Sequence, residues 1–273
     1  MPVDPTTIIG EILGAPANEM RNPVNADYQC PFINSQCLKR SQRMTGPYPV
    51  CSVWRHRTTI PKLVCVCPKR FYQVDFLQDV ITHCWPGTRP VNPQIAHEVQ
   101  MAGFGQVDFV IADIDESTGQ VREFISVELQ AVDITGSVEP AYQGVVSNQN
   151  LNVPPAHGFN WANVRKRYIS QLISKGFYHH HWGTRMVAVL QSVVYEEFRK
   201  YIAFDELLPT AGNIVFMLYD YVGEERDEFG RHIMQLDRVV ATSHNSLMTG
   251  ALYRPAPAKS EFCKKIIANL RDL

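Results

Sequence analysis

The sequence has no apolar run approaching the ~18 residues that span a membrane, which excludes a helical membrane protein. Its first residues, Met1-Pro-Val-Asp-Pro5, carry neither the basic nor the apolar stretch that directs export, so residence in the cytoplasm, away from any membrane, is expected. Glycine (16) and proline (18) are too few for a collagen-like or low-complexity chain. Net charge is nearly absent too: 26 Lys+Arg against 27 Asp+Glu leave -1 at pH 7, which excludes a generally basic polymer binder. What remains is 273 residues, 45% of them hydrophobic, enough for one large domain or two small ones with a real core.

One absence is local. Between Tyr28 and Arg70 there is no Asp or Glu, but there are eight cations: Lys39, Arg40, Arg43, Arg55, Arg57, Lys62, Lys69 and Arg70. Uncompensated positive charge on a small lobe attracts phosphates even when the whole protein is neutral. Lys39, Arg40, Arg43, Arg55 and Arg57 are the candidates to touch a nucleic acid; the alternative is an ordinary solvated face. The same stretch holds five of the seven cysteines: Cys30, Cys37, Cys51, Cys65 and Cys67. Without an export signal a disulfide framework is not expected, and clustered thiols in a reducing compartment point to a thiolate-bound metal. Iron and zinc both accept four thiolates. The bland alternative is that the thiols are small buried hydrophobes.

Pattern along the chain gives a mixed α/β reading. Pro5 to Leu13 is expected as a short helix, and Phe71 to Cys84 as a longer one closed by Trp85-Pro86-Gly87. Gln106 to Ile114 and Val121 to Val132 are apolar, β-branched runs joined by Asp115-Glu-Ser-Thr-Gly119, which reads as a hairpin. Asn160 or Trp161 opens a helix expected to end at Lys175-Gly176, with glycine at its C-terminal cap. Arg185 to Tyr195, Asn213 to Val222 and Ile233 to Thr242 are strand candidates, and Lys259 to Leu270 a terminal helix. Interleaved elements of this kind make a mixed β-sheet flanked by helices. Residues 1–85 form the N-terminal region with the cysteine lobe, and 86–273 the core.

The hairpin sets polar residues where a buried strand wants apolar ones. Glu128 and Gln130 share a strand face, and Asp108 on the neighbouring strand can join them. Two carboxylates and an amide offer hard oxygens suited to Mg²⁺, which lowers the pKa of bound water and stabilises charge on a phosphodiester. Glu98 can add a carboxylate from the element upstream. The competing reading makes Asp108 a strand-entrance residue and Glu128 an exposed edge residue.

Together with Glu11-Ile-Leu-Gly14, Cys30-Pro-Phe32, Cys37-Leu-Lys39, Cys51-Ser-Val53, Cys67-Pro-Lys-Arg-Phe71, Gly105-Gln-Val-Asp108 and Val127-Glu-Leu-Gln-Ala-Val-Asp-Ile-Thr-Gly136, this layout resembles the NotI-like restriction endonucleases, a branch of the PD-(D/E)xK nuclease superfamily. The resemblance implies a Mg²⁺-dependent enzyme that cuts double-stranded DNA at a defined sequence. It puts Asp108 and Glu128 at the metal-ligand positions and Gln130 where the superfamily usually has lysine. It also implies a four-cysteine iron site held by Cys30, Cys37, Cys51 and Cys67, with Cys65 as the alternative fourth ligand.

The reading is a type II-like restriction endonuclease acting as a homodimer, since a symmetric cut through two strands calls for two active sites. Its rivals are a non-cleaving DNA-binding or regulatory protein with a structural metal site, and a hydrolase of small phosphate substrates. Three features are discounted. His179-His180-His181 is read as exposed polar sequence, because consecutive strand residues face opposite ways. Arg165-Lys166-Arg167 on the expected helix suits contact with DNA phosphates and an ordinary exposed helix face equally, and Gly103-Phe-Gly105 is too short for a phosphate loop.

Overall fold

The computed structural model describes residues 2–19, 27–41, 44, 46–56, 59–253 and 258–271. Arg43 and Arg57, two of the candidate DNA contacts, lie outside the described residues.

Alternation builds the centre of the molecule. Along Gly105–Ile114 the buried set is Val107, Phe109, Ile111 and Asp113, every second residue, as the two-residue period of a strand requires. Asp115 closes the turn, its Oδ1 accepting from the backbone N–H of Ser117 and Thr118. The chain returns as Val121–Gln130, with Phe109 opposite Val127 and Ile111 opposite Ile125. The expected hairpin is present.

The elements used below are strands β1 (Ile9–Ile12), β2 (Val50–Arg55), β3 (Lys62–Cys65), β4 (Pro93–Met101), β5 (Gly105–Ile114), β6 (Val121–Gln130), β7 (Arg185–Gln191), β8 (Ile214–Arg226) and β9 (His232–Thr242). The helices are α1 (Phe76–Cys84), α2 (Glu139–Ser147), α3 (Ile169–His181), α4 (Ser192–Arg199), α5 (His244–Leu252) and α6 (Lys259–Ala268). A six-stranded sheet runs in the order β9-β8-β7-β6-β5-β4. Strand β7 is parallel to β6 and to β8, while the other neighbours are antiparallel. Parallel neighbours need crossovers, and α3 and α4 lie in these two connections.

Helices cover both faces. On one, Ala188, Leu190 and Phe216 pack with Ile169 and Leu172 of α3 and with Ile9, Ile12 and Val53 of the N-terminal sheet. On the other, Phe109, Val127, Val187 and Val215 pack with Phe71 and with Phe76, Val80 and Cys84 of α1. Strands β1, β2 and β3 form that N-terminal antiparallel sheet with Ala15–Pro16. It is bolted to the main sheet by Gln191. The Gln191 Nε2 donates to Leu63 O (2.7 Å) and Asp220 Oδ1 (2.8 Å), and its Oε1 accepts from Cys65 N (2.8 Å).

Four expectations need correction. Residues 5–13 are a 3-10 turn, Pro5–Thr7, followed by β1, not a helix: Ile9 to Ile12 are buried on every side, and such a run suits a strand between two partners. The strand expected over 185–195 stops at Gln191, and the chain turns at once into α4. The helix opened by Trp161 does not end at Gly176. It continues to His181, because Gly176 is there for close packing: a Cβ on it would lie 2.6 Å from Ile214 Cδ1. The three histidines are therefore helical, and His179 is fully buried while His180 and His181 are exposed.

Candidate active site

The pairing of β5 with β6 begins at Phe109–Val127. On the other side of that pair, β5 stays with β4, whereas Glu128, Leu129 and Gln130 stay with β7, opposite Ala188, Val189 and Leu190. In the opening the Asp108 side chain takes the place of a ladder carbonyl, its Oδ2 accepting from Leu129 N at 2.8 Å. Since Phe109 and Val127 face α1, Asp108, Ser126, Glu128 and Gln130 face α3 by strand alternation.

That face meets a stripe of helix at intervals of four, three and four: Tyr168, Leu172, Lys175 and His179, all buried. A π-helical turn, Val164–Tyr168, precedes α3 and ends on Tyr168; such wide turns recur at functional sites. Lys175 forms an ion pair with Glu128 Oε1 and donates a second hydrogen bond to Gln106 O at 2.7 Å. Burial pushes the Glu128 carboxyl above its ordinary value; the Lys175 bond and charge oppose this, and the Asp108 charge adds to it. The Tyr168 hydroxyl is buried with no hydrogen-bond partner among the described residues. Burial, then the charges of Glu128 and Asp108, hold that phenol well above its usual range. Burial lowers the His179 imidazole below its ordinary value. Its Nδ1 faces Lys175 O (2.7 Å), which can only accept, so this nitrogen carries the proton and Nε2 accepts from Ser126 Oγ (2.7 Å).

Gln130 is half-buried, and its amide donates to Ala131 O. Glu98 is exposed on β4 between the pairs His97–Phe109 and Val99–Val107, which sets it across from Asp108. Its φ of 51° is left-handed, a conformation costing a non-glycine residue about 1–3 kcal/mol. Among the described residues its side chain makes no hydrogen bond or ion pair, so the structure brings Asp108 near Glu128, sets Gln130 on the face of Glu128 by strand alternation and leaves Glu98 at their margin.

The thiols gather without forming a metal cage. Cys30, Cys37 and Cys51 are buried in one cluster with Phe32. Burial raises all three thiols, and the neighbouring Cys67 raises each further. Cys65 packs instead with Phe71 and Phe76 under the main sheet, its thiol donating to Cys67 O at 3.1 Å. Among the described residues no three His, Cys, Asp or Glu side chains stand where they could hold a metal ion. Burial favours the protonated form of a thiol that holds no metal.

The basic lobe is also less bare than its sequence. Arg70 is wholly buried against Glu11, and Arg55 pairs with Glu197 of α4 at 2.7 Å while lying over Trp161. Lys39 Nζ is held by Val50 O (2.6 Å) and Val66 O (2.8 Å). The acids that compensate this segment come from outside it. Arg40 is exposed and, with Lys39, Ser41 and Asp133, lines a cleft of about 440 Å³ beside the loop leaving Gln130.

Lys175, Tyr168 and the His179–Ser126 pair were not legible as site residues in the sequence. The available signal was a lysine and a histidine at positions 175 and 179, in register with Tyr168 and Leu172 on what is otherwise an apolar stripe.

This geometry meets a family match. The profile of the restriction endonuclease NotI matches residues 18–232, spanning the thiols, the carboxylates and α3. The class is therefore that of a site-specific deoxyribonuclease of type II, with DNA as substrate. The chain belongs to the NotI restriction endonuclease family. No curated protein matches it. No helix among the described residues is long and apolar enough to cross a membrane.

Proposed function

We propose that this chain cleaves double-stranded DNA by Mg²⁺-dependent hydrolysis on a PD-(D/E)xK core formed by residues 86–273, as a homodimer with one site per strand. The observation that carries the reading is the convergence of Asp108 and Glu128 where β5 and β6 part. The donor set fits the ion: Asp108 and Glu128 would hold it, since two carboxylates offer the hard oxygens Mg²⁺ prefers. When bound, the ion activates a water and stabilises charge on the phosphate.

The chain's own residues supply the rest. Leu129 N fixes the Asp108 carboxylate, and Lys175 fixes that of Glu128. Gln130 reaches the same face with a neutral amide that orients a water or a phosphate oxygen. In the reaction a water oxygen bonds to phosphorus, one P–O ester bond breaks, and the leaving oxygen ends protonated. Glu98 is a third carboxylate available from β4, and Lys39, Arg40 and Arg55, with Arg43 and Arg57, remain the candidates for phosphate contact. The gathering of Cys30, Cys37, Cys51 and Cys67 supports a second element of the proposal, a structural iron or zinc site in residues 1–85.

Plasmid DNA incubated with protein and Mg²⁺ should give discrete fragments, and chelation should stop the reaction. Asp108→Ala and Glu128→Ala should each lower cleavage by at least about 100-fold, with gel-shift affinity for DNA retained. Full cleavage by either variant overturns the assignment.

A further inference from the structure

Lysine is almost never fully buried unless paired, yet Lys175 is 2% exposed, on the one helix that covers the carboxylates. Two of its three ammonium protons are accounted for, by Glu128 and by Gln106 O. The third has no partner among the described residues. Nearby, the Tyr168 hydroxyl is likewise buried and unpartnered. On β6 itself the same-face neighbours of Glu128, Ser126 and Gln130, are neutral, and the Gln130 amide is engaged with Ala131 O.

Stability does not explain the pair. A buried ion pair is often no more stabilising than apolar groups of the same volume, and an apolar side chain at 175 would continue the stripe of Tyr168 and Leu172. What the ammonium adds is a fixed positive charge against Glu128, the carboxylate whose ionisation the Asp108 charge opposes. We propose that Lys175 is the positioning cation of the active site, supplying from α3 the charge that Gln130 does not supply from β6. It orients the Glu128 carboxylate and offsets the repulsion between Glu128 and Asp108. This rests on the reading of Asp108 and Glu128 as the reacting carboxylates.

The test compares full-length wild type, Asp108→Ala, Lys175→Met, Lys175→Arg, Lys175→Gln and the double variant Lys175→Met/Gln130→Lys. Cleavage rate is titrated against Mg²⁺, with thermal melting and gel-shift affinity on each protein. Lys175→Met should lose about 100-fold in rate, as for one oriented group at a reacting centre, while keeping its DNA affinity. It should also reach half-maximal rate at lower Mg²⁺, because a competing cation has gone. Adding Gln130→Lys should recover about 10-fold of the loss and move the Mg²⁺ midpoint back up, since it returns a charge to the same face. A purely structural lysine would give neither the opposite movement of rate and midpoint nor the rescue. If Lys175→Met does not fold, the decision passes to the other two variants: Lys175→Arg should stay within about 10-fold of wild type, and Lys175→Gln should not. Equal rates in those two overturn the inference, as does a wild-type rate in Lys175→Met. An inactive Asp108→Ala beside a fully active Lys175→Met removes the inference alone. An active Asp108→Ala removes the carboxylate reading with it.

Discussion

Glu11 and Arg70 form an ion pair from which water is wholly excluded, both side chains having no exposed surface. The guanidinium donates through Nε and Nη2 to the Glu11 carboxylate at 3.0–3.2 Å, and Tyr221 adds a hydroxyl to Glu11 at 3.0 Å. Arg70 also donates to Gln73 Oε1 at 2.7 Å and lies over the rings of Phe32 and Tyr221. One pair therefore ties β1, the turn after Cys67, the thiol cluster and β8 together.

Removing one partner should be worse than removing both. Glu11→Ala leaves a buried guanidinium uncompensated and should cost about 3–5 kcal/mol of stability. Glu11→Leu with Arg70→Met should cost less than Glu11→Ala. Urea unfolding of the three proteins checks the order, and equal losses for the single and double variants would count against it.

Gln130 is expected to matter through its amide. Gln130→Ala should cost on the order of 100-fold in cleavage rate, the scale of one oriented donor. Gln130→Lys should retain more activity than Gln130→Ala but need more Mg²⁺, because its ammonium competes for the same carboxylates. Rate against Mg²⁺ for the three proteins is the measurement. Unchanged curves for both variants would place Gln130 outside the site.

The thiol cluster has a direct assay. If it closes on a metal, purified protein should contain about one iron or zinc per chain, and Cys51→Ser should lose it together with stability. Cys65→Ser should keep the metal, because Cys65 packs under the main sheet and away from Cys30, Cys37 and Cys51. A metal-free, well-folded wild type would show these thiols to be packing groups only.

Gly176→Ala should destabilise the protein even though alanine gains about 1 kcal/mol of helix propensity over glycine. The new methyl would meet Ile214 Cδ1 at 2.6 Å and Cγ1 at 2.8 Å, and overpacking of this kind costs about 1–3 kcal/mol. Ile214→Val in the same protein should recover part of the loss. Thermal melts of the single and double variants decide whether contact with β8 or capping explains the glycine.

The hairpin, its turn and the shared face of Glu128 and Gln130 were legible because alternation and turn chemistry are local. So were β8, β9 and α6, whose runs are long and regular. Three things escaped for want of long-range information. Gly176 carries the signature of a helix end, and only Ile214, 38 positions on, shows that it is a packing site. Arg70 and Arg55 sit in an acid-free segment, and their partners Glu11 and Glu197 lie beyond its two ends. Lys175 was hidden for the same reason: nothing between 161 and 181 reveals that the helix lies on the carboxylates. The thiol segment was read from spacing, which brings cysteines into one lobe but does not say which of them turn toward each other.

The Gln191 amide carries a mechanical consequence. Two of its three hydrogen bonds join β3, which leads into Cys67, to the strand that neighbours β6, and the third goes to Asp220 of β8. Swinging the N-terminal sheet away from the main sheet would strip the buried Gln191 amide of both its bonds to β3 at once. The N-terminal sheet and the strands that carry Asp108 and Glu128 are thus tied together, so under the proposed function the fold itself would set the offset between DNA held by the lobe and the bond that is cut.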